Sequence, residues 1–98
     1  HDWDYLNSLN LNKAFLATSG YTIKSGATNP DTADAVIKSS MMKRSNENFL
    51  LIDSSKFDQT SLITFAEADH FSEIITGGAI PPYYTEYFEK NNIAYHIV

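Results

Sequence analysis

Apolar positions along the chain fall into short blocks separated by polar, glycine- or proline-bearing segments, and the spacing within each block predicts an element. Asp2 to Leu9, with Leu6 and Leu9 on one side, reads as a short helix. Ala14-Phe15-Leu16-Ala17-Thr18 is a continuous apolar run stopped by Ser19-Gly20, the pattern of a strand buried on both faces. Tyr21 to Asn29 reads as a polar loop. Over Asp31 to Ser45, Ala33, Val36, Ile37 and Met41 recur at helical spacing and predict one buried stripe. Pro30, Asp31 and Asp34 suit the start of that helix, and Lys43 and Arg44 suit its end. Phe49-Leu50-Leu51-Ile52 predicts a second strand, closed by Asp53-Ser54-Ser55-Lys56. Leu62 to Phe65 fits either helix or strand, and His70-Phe71 is expected in a short helix. Glu73 to Thr76 reads as a third strand ending at Gly77-Gly78. Pro81-Pro82 opens a helix to about Asn91, with Tyr84, Tyr87 and Phe88 inward, and Ile93 to Val98 is the last strand.

Strands alternating with helices imply right-handed crossovers and an α/β fold: a mainly parallel sheet with flanking helices. In such sheets chemistry gathers at the carboxyl ends of the strands. Here those ends are Ser19-Gly20, Asp53 to Lys56, and Thr76-Gly77-Gly78, all small, polar or glycine.

Composition narrows the function classes. Ninety-eight residues make one domain at most. A net charge of −5 argues against direct binding to a phosphate backbone, which needs clustered Lys and Arg. There is no cysteine, so disulfides, thiolate zinc sites and cysteine nucleophiles are excluded, and a reducing cytoplasm fits. No apolar run approaches the ~20 residues of a membrane helix, so no membrane partner is expected. The polar opening His1-Asp2-Trp3-Asp4 is not a signal peptide, and without an initiator methionine it reads as the start of an excised piece.

Several residues carry candidate chemistry. Asp53 could bind a sugar hydroxyl while Ser54, Ser55 and Lys56 hold an anionic group; equally, Asp53 could cap the next turn and Lys56 be solvated. Gly26-Ala27-Thr28-Asn29 precedes a helix start, where free N–H groups favour anions, but it is neither a Walker loop nor a dinucleotide fingerprint. Asp34 and Lys38 stand four apart, either as a surface ion pair or turned towards a ligand. His1, His70 and His96 share no ligand spacing, so neither a metal nor a cofactor is expected. No Ser/His/Asp ordering and no nucleophile elbow appear, so no catalytic residue is assigned.

Taken in order, these motifs resemble the effector-sensing domain of DeoR-family transcriptional regulators, over its second half. The elements carrying the resemblance are Lys13 to Gly20, Lys24-Ser25-Gly26-Ala27-Thr28, Asp34-Ala35-Val36-Ile37-Lys38, Leu50 to Phe57, and Ile74-Ile75-Thr76 with the closing strand. The resemblance implies a Rossmann-like fold related to the ribose-phosphate and glucosamine-phosphate isomerases. It also implies a phosphorylated-sugar effector, bound through Ser19, Gly20, Gly26, Asp34, Lys38, Asp53 and Lys56. Asp34 stands where the family more often has glutamate, and Gly77-Gly78 where an aspartate is usual. Operator DNA would be met only by a winged helix-turn-helix outside this chain, and the family's phosphate loop is absent as well. The function expected is sensing in a cytoplasmic repressor of a carbohydrate-utilisation operon, by a homo-oligomer. Two rivals are a sugar-phosphate isomerase and a receiver-like docking domain. Isomerisation needs a positioned base, and Ala17-Thr18-Ser19-Gly20 offers no carboxylate; a receiver would need an acidic pair after Leu16.

Overall fold

Three crossovers, all stepping in the same direction, build the molecule. The computed structural model describes residues 2–98; His1 lies outside them. Helix α1 (Asp2–Leu6) leads into strand β1 (Leu11–Ala17), followed by β2 (Gly20–Thr22), β3 (Gly26–Asn29) and helix α2 (Thr32–Lys43). Then come β4 (Ser45–Asp53), a 3-10 turn at Ser54–Lys56, β5 (Ile63–Ala66), a second 3-10 turn at Ala68–His70, β6 (Glu73–Gly77), α3 (Pro82–Lys90) and β7 (Tyr95–Ile97). β1, β4, β6 and β7 form one parallel sheet in that order. β2, β3 and β5 form a separate antiparallel sheet.

The expected α/β architecture is therefore present. Several expectations about its parts are corrected, two of them in the strands. Tyr21 to Asn29 is not a loop but most of a hairpin, with Gly20 paired to Thr28 and Thr22 to Gly26. Its side chains look polar, yet Tyr21, Ala27 and Thr28 are almost wholly buried. The second correction concerns Ala14 to Thr18. Ala14 and Leu16 are buried, but Phe15 between them is 57% exposed. The same alternation runs through β4, where Leu50 and Ile52 are buried and Leu51 is 43% exposed.

Topology explains that one-sidedness. Right-handed crossovers that always advance the same way across a sheet lie on the same face. Accordingly Ala35 and Met42 of α2, Tyr84 and Phe88 of α3, and Phe65 and Ala66 of β5 share one core with Leu16, Leu50, Ile52 and Ile74. Each large apolar side chain fully buried there contributes about 1.5–3 kcal/mol.

Asp31 starts α2 by accepting the Ala33 N–H at 3.2 Å, and Lys43 ends it. Its buried positions, however, are Ala35 and Met42, not the expected stripe of Ala33, Val36, Ile37 and Met41. Ala35 and Met42 are the α2 side chains turned onto the strands, and Val36 is left 40% exposed. Arg44, just past the helix, donates to the Leu9 carbonyl at 2.7 Å and to Asn10 Oδ1 at 3.1 Å, fastening the α1–β1 connection. In α3, Tyr84 and Phe88 face inward as the spacing predicts, while Tyr87 is only partly buried.

Candidate functional site

The carboxyl edge of the parallel sheet collects the ends of β1, β4 and β6. Ala17 pairs with Leu51, and Asp53 with Gly77, so Thr18-Ser19, Asp53 to Ser55 and Gly77-Gly78 stand side by side along it. Gly78, at φ +79°, lies so close to Ser54 that a Cβ there would come within 3.1 Å of its hydroxyl.

Asp53 is exposed, and its carboxylate accepts a short hydrogen bond from the Ser55 hydroxyl. It does not cap the 3-10 turn through its side chain. Lys56 is exposed at the end of that turn, and among the described residues its ammonium has no hydrogen-bond partner. An exposed cation thus follows, two turn residues on, a carboxylate already held in orientation.

Lys38 behaves differently. Its ammonium donates to the Ala17 carbonyl at 2.6 Å and to Asn29 Oδ1 at 3.3 Å, and lies 5.1 Å from the centre of the Phe65 ring. Burial holds its pKa below the usual lysine value, an effect partly opposed by the Asp34 charge. Lys38 therefore ties α2 to the end of β1, while Asp34 stays exposed on the first turn of the helix.

The two glycines have structural reasons to be glycine. A Cβ on Gly20 would sit 2.3 Å from the Gln59 carbonyl oxygen. Gly26 has φ +74°, and a Cβ there would sit 2.6 Å from the Ala66 carbonyl oxygen. Ser19 is partly buried, and its N–H donates to the Thr28 carbonyl at 3.1 Å.

Sequence reasoning missed the groups that hold this edge in place. Buried Thr18 Oγ1 has the carbonyls of Gly20 and Thr28 at 2.8 and 3.1 Å as acceptors for its one proton and accepts the Thr28 N–H at 3.1 Å. Thr28 Oγ1 donates to the Gly20 carbonyl at 3.3 Å and accepts the Ser61 N–H at 2.9 Å. Just past Lys56, Phe57 is buried against Tyr84 and Tyr21, with ring centres 4.7 and 5.8 Å apart. Asp58 follows at φ +67°, and its carboxylate accepts from Tyr83 at 2.5 Å and Tyr84 at 2.7 Å. Those two hydroxyls, Tyr83 first, hold the Asp58 carboxyl below the ordinary carboxylate range. Desolvation, then the Asp58 bond, pushes the Tyr84 phenol well above its usual value. The aromatic spacing was legible as a packing face. Nothing in the sequence marks Asp58 as its polar end.

Three cavities lie away from this edge. One of about 320 Å³ is walled by Tyr21, Glu67, Asp69, Tyr87 and Asn91; two more flank α2, and none of the three includes an expected site residue.

A sequence profile described as the DeoR C-terminal sensor domain matches residues 1–78. The chain belongs to the DeoR family. Among curated DeoR-type relatives, the HTH-type transcriptional regulator IolR of Bacillus subtilis (strain 168) is 35% identical over 92 residues, covering 94% of this chain and 37% of that protein. The L-fucose operon activator of Haemophilus influenzae is 32% identical over 88 residues, covering 90% of this chain and 35% of that protein. The HTH-type transcriptional regulator GlpR of Haloferax volcanii is 28% identical over 76 residues, covering 78% of this chain and 30% of that protein. The chain spans no more than 37% of the length of these DeoR relatives. It is a DeoR sensor-domain sequence, in a family of transcriptional regulators. No helix among its described residues is long and apolar enough to cross a membrane.

Proposed function

We propose that this chain is the second half of the effector-sensing domain of a cytoplasmic, homo-oligomeric repressor controlling a carbohydrate-utilisation operon, and that its effector is a phosphorylated sugar. The observation carrying this reading is the carboxyl edge of a DeoR sensor sheet, where exposed Lys56 follows an Asp53 carboxylate held by Ser55. Lys56 meets the anionic group and Asp53 a hydroxyl. Ser19 lines the floor, while Gly20, Gly26 and Lys38 keep that floor in shape from behind, with Asp34 tuning Lys38. Operator DNA is bound by a helix-turn-helix domain outside these residues, which the net charge of −5 supports. The domain senses without catalysing, because the end of β1 carries no carboxylate to serve as a base.

The test uses the full-length regulator, its operator and a panel of pentose and hexose phosphates. One of them is expected to release the operator. Lys56→Ala should weaken that response roughly ten- to a hundredfold, the loss of one charge-assisted hydrogen bond worth about 1.5–3 kcal/mol. Operator affinity without effector should stay unchanged. An unaltered response would remove Lys56 from the site, tightened operator binding would make the protein an activator, as the name of the L-fucose relative would suggest, and turnover of any phosphate would make it an enzyme.

A further inference from the structure

The cavity of about 320 Å³ lies where the β2–β3 hairpin, the Ala68–His70 turn and α3 meet, and neither Asp53 nor Lys56 lines it. Its wall carries two acidic residues, Glu67 and Asp69, and no lysine, arginine or histidine. Both acidic residues are exposed to solvent, whereas Tyr21 and Ile93 belong to the buried core. Tyr87, Asn91 and Ile93 complete the wall from beyond residues 1–78, the span that the sensor-domain profile matches. The cavity is therefore not a feature that the family assignment describes.

Tyr21 is the residue that marks it as more than a gap. Its side chain is 1% exposed, yet its hydroxyl makes no hydrogen bond among the described residues. The ring packs against Phe57, Tyr84 and Phe88, with centres 5.8, 5.9 and 6.1 Å away. With the ring so engaged, the phenol oxygen is the part left to face the cavity. Burial first, then Tyr87, Tyr84, Glu67 and Asp69, pushes its pKa well above the usual value, so the phenol stays neutral. Phenylalanine would fill the same core position. A buried hydroxyl without a partner costs free energy, and a ligand atom bonded to it removes that cost.

The other polar groups of the wall are acceptors held in place. The Glu67 carboxylate accepts the His70 N–H, and the Glu67 N–H donates to His70 Nδ1 at 3.1 Å. Asn91 Nδ2 donates to the Tyr87 carbonyl at 2.8 Å, which fixes the amide and leaves its oxygen free to accept. Carboxylates take charge-assisted hydrogen bonds from N–H donors, and aromatic faces attract cations. The same two carboxylates repel a phosphate, so the effector expected at the carboxyl edge does not suit this wall. Nor does a metal ion, since no three histidine, aspartate or glutamate side chains converge as ligands among the described residues.

We propose that this cavity is a second ligand site, which binds a small organic ammonium ion. Its N–H groups are shared among the carboxylates of Glu67 and Asp69 and the Tyr21 hydroxyl, and its carbon skeleton lies against Tyr87 and Ile93. The site is separate from the carboxyl edge and does not rest on the nature of the effector bound there.

The test titrates the full-length regulator calorimetrically at low ionic strength, with benzylammonium as the probe and neutral benzyl alcohol as its isostere. Benzylammonium should bind saturably, and the alcohol about tenfold more weakly or not at all. Glu67→Gln with Asp69→Asn removes both charges but keeps an oxygen to accept the His70 N–H. That pair should weaken benzylammonium binding about tenfold. Tyr21→Phe keeps the ring packing and should weaken it about threefold, with the thermal midpoint unchanged or raised because an unpartnered hydroxyl is lost. No saturable binding at millimolar probe would overturn the proposal. So would equal binding of the alcohol, or an affinity that neither variant alters. Failure of the Lys56→Ala test would leave these results untouched.

Discussion

Thr28 and Thr76 are both buried, both 1% exposed, and opposite in their hydrogen bonding. Thr28 Oγ1 joins Gly20 to Ser61, whereas Thr76 Oγ1 is buried without a partner among the described residues. The isosteric change to valine should therefore act with opposite signs. Thr28→Val strands the part-buried Ser61 N–H, while the Gly20 carbonyl keeps the Thr18 hydroxyl, and should lower stability by about 1–3 kcal/mol. Thr76→Val removes a desolvated hydroxyl and should be neutral or stabilising. Denaturant midpoints at unchanged slope would measure both; a marked loss for Thr76→Val would mean that its hydroxyl has a partner in solution. Residues of this kind also mark the limit of what the sequence could tell. Asp53 and Lys56 were legible because a charged pair ending an apolar run is conspicuous. Thr18, Thr28 and Asp58 were not, because their roles come from contacts made across the hairpin and with α3. Lys38 was noticed, but its use was not. Its engagement with Ala17 depends on where α2 crosses β1.

Among the elements, α2 shows how periodicity can identify a helix yet misplace its inner face. The end signals put the helix within two residues of its observed Thr32–Lys43. The hydrophobic stripe did not, since the strand layer beneath accepts Ala35 and Met42 while Val36 points outward. Ala35→Leu should then overpack the core and lower stability by about 1–3 kcal/mol, whereas Val36→Ser should shift it by no more than about 0.5 kcal/mol. Thermal unfolding of the two variants decides between the stripes, and the reverse ranking would restore the sequence-based one. The β2–β3 hairpin escaped notice for a related reason. Its strands have three and four residues, too few for alternation to show, and they are buried by Tyr21 and threonines and not by aliphatic side chains. β1 was read as buried on both faces, and its composition does ask for that; the described residues supply only one layer.

For the whole molecule, that missing layer governs behaviour in solution. Residues 1–98 alone carry an apolar band and an unsealed strand edge, which tend to associate. Sedimentation of the isolated chain at micromolar concentration should show dimers or larger species. Phe15→Glu with Leu51→Glu should shift it towards monomer without unfolding it, because both side chains already face water. Association undiminished by the pair would place the contact elsewhere. The strand order also bears on how the protein is made. Two strands of the parallel sheet must skip their immediate successors in the chain: β1 waits for β4 and β4 for β6, and only β6 pairs with the next strand, β7, across α3. During synthesis Leu11 finds its partner only when Ser45 has been added, and Tyr21 and Phe57 gain their cover only with Tyr84 and Phe88. The hairpin and α2 can form from local contacts, but the sheet cannot, and folding through distant pairings is slow. The nascent chain therefore carries β1 unpaired until β4 has been made, a stretch in which Phe15 and its neighbours are open to contacts with other chains.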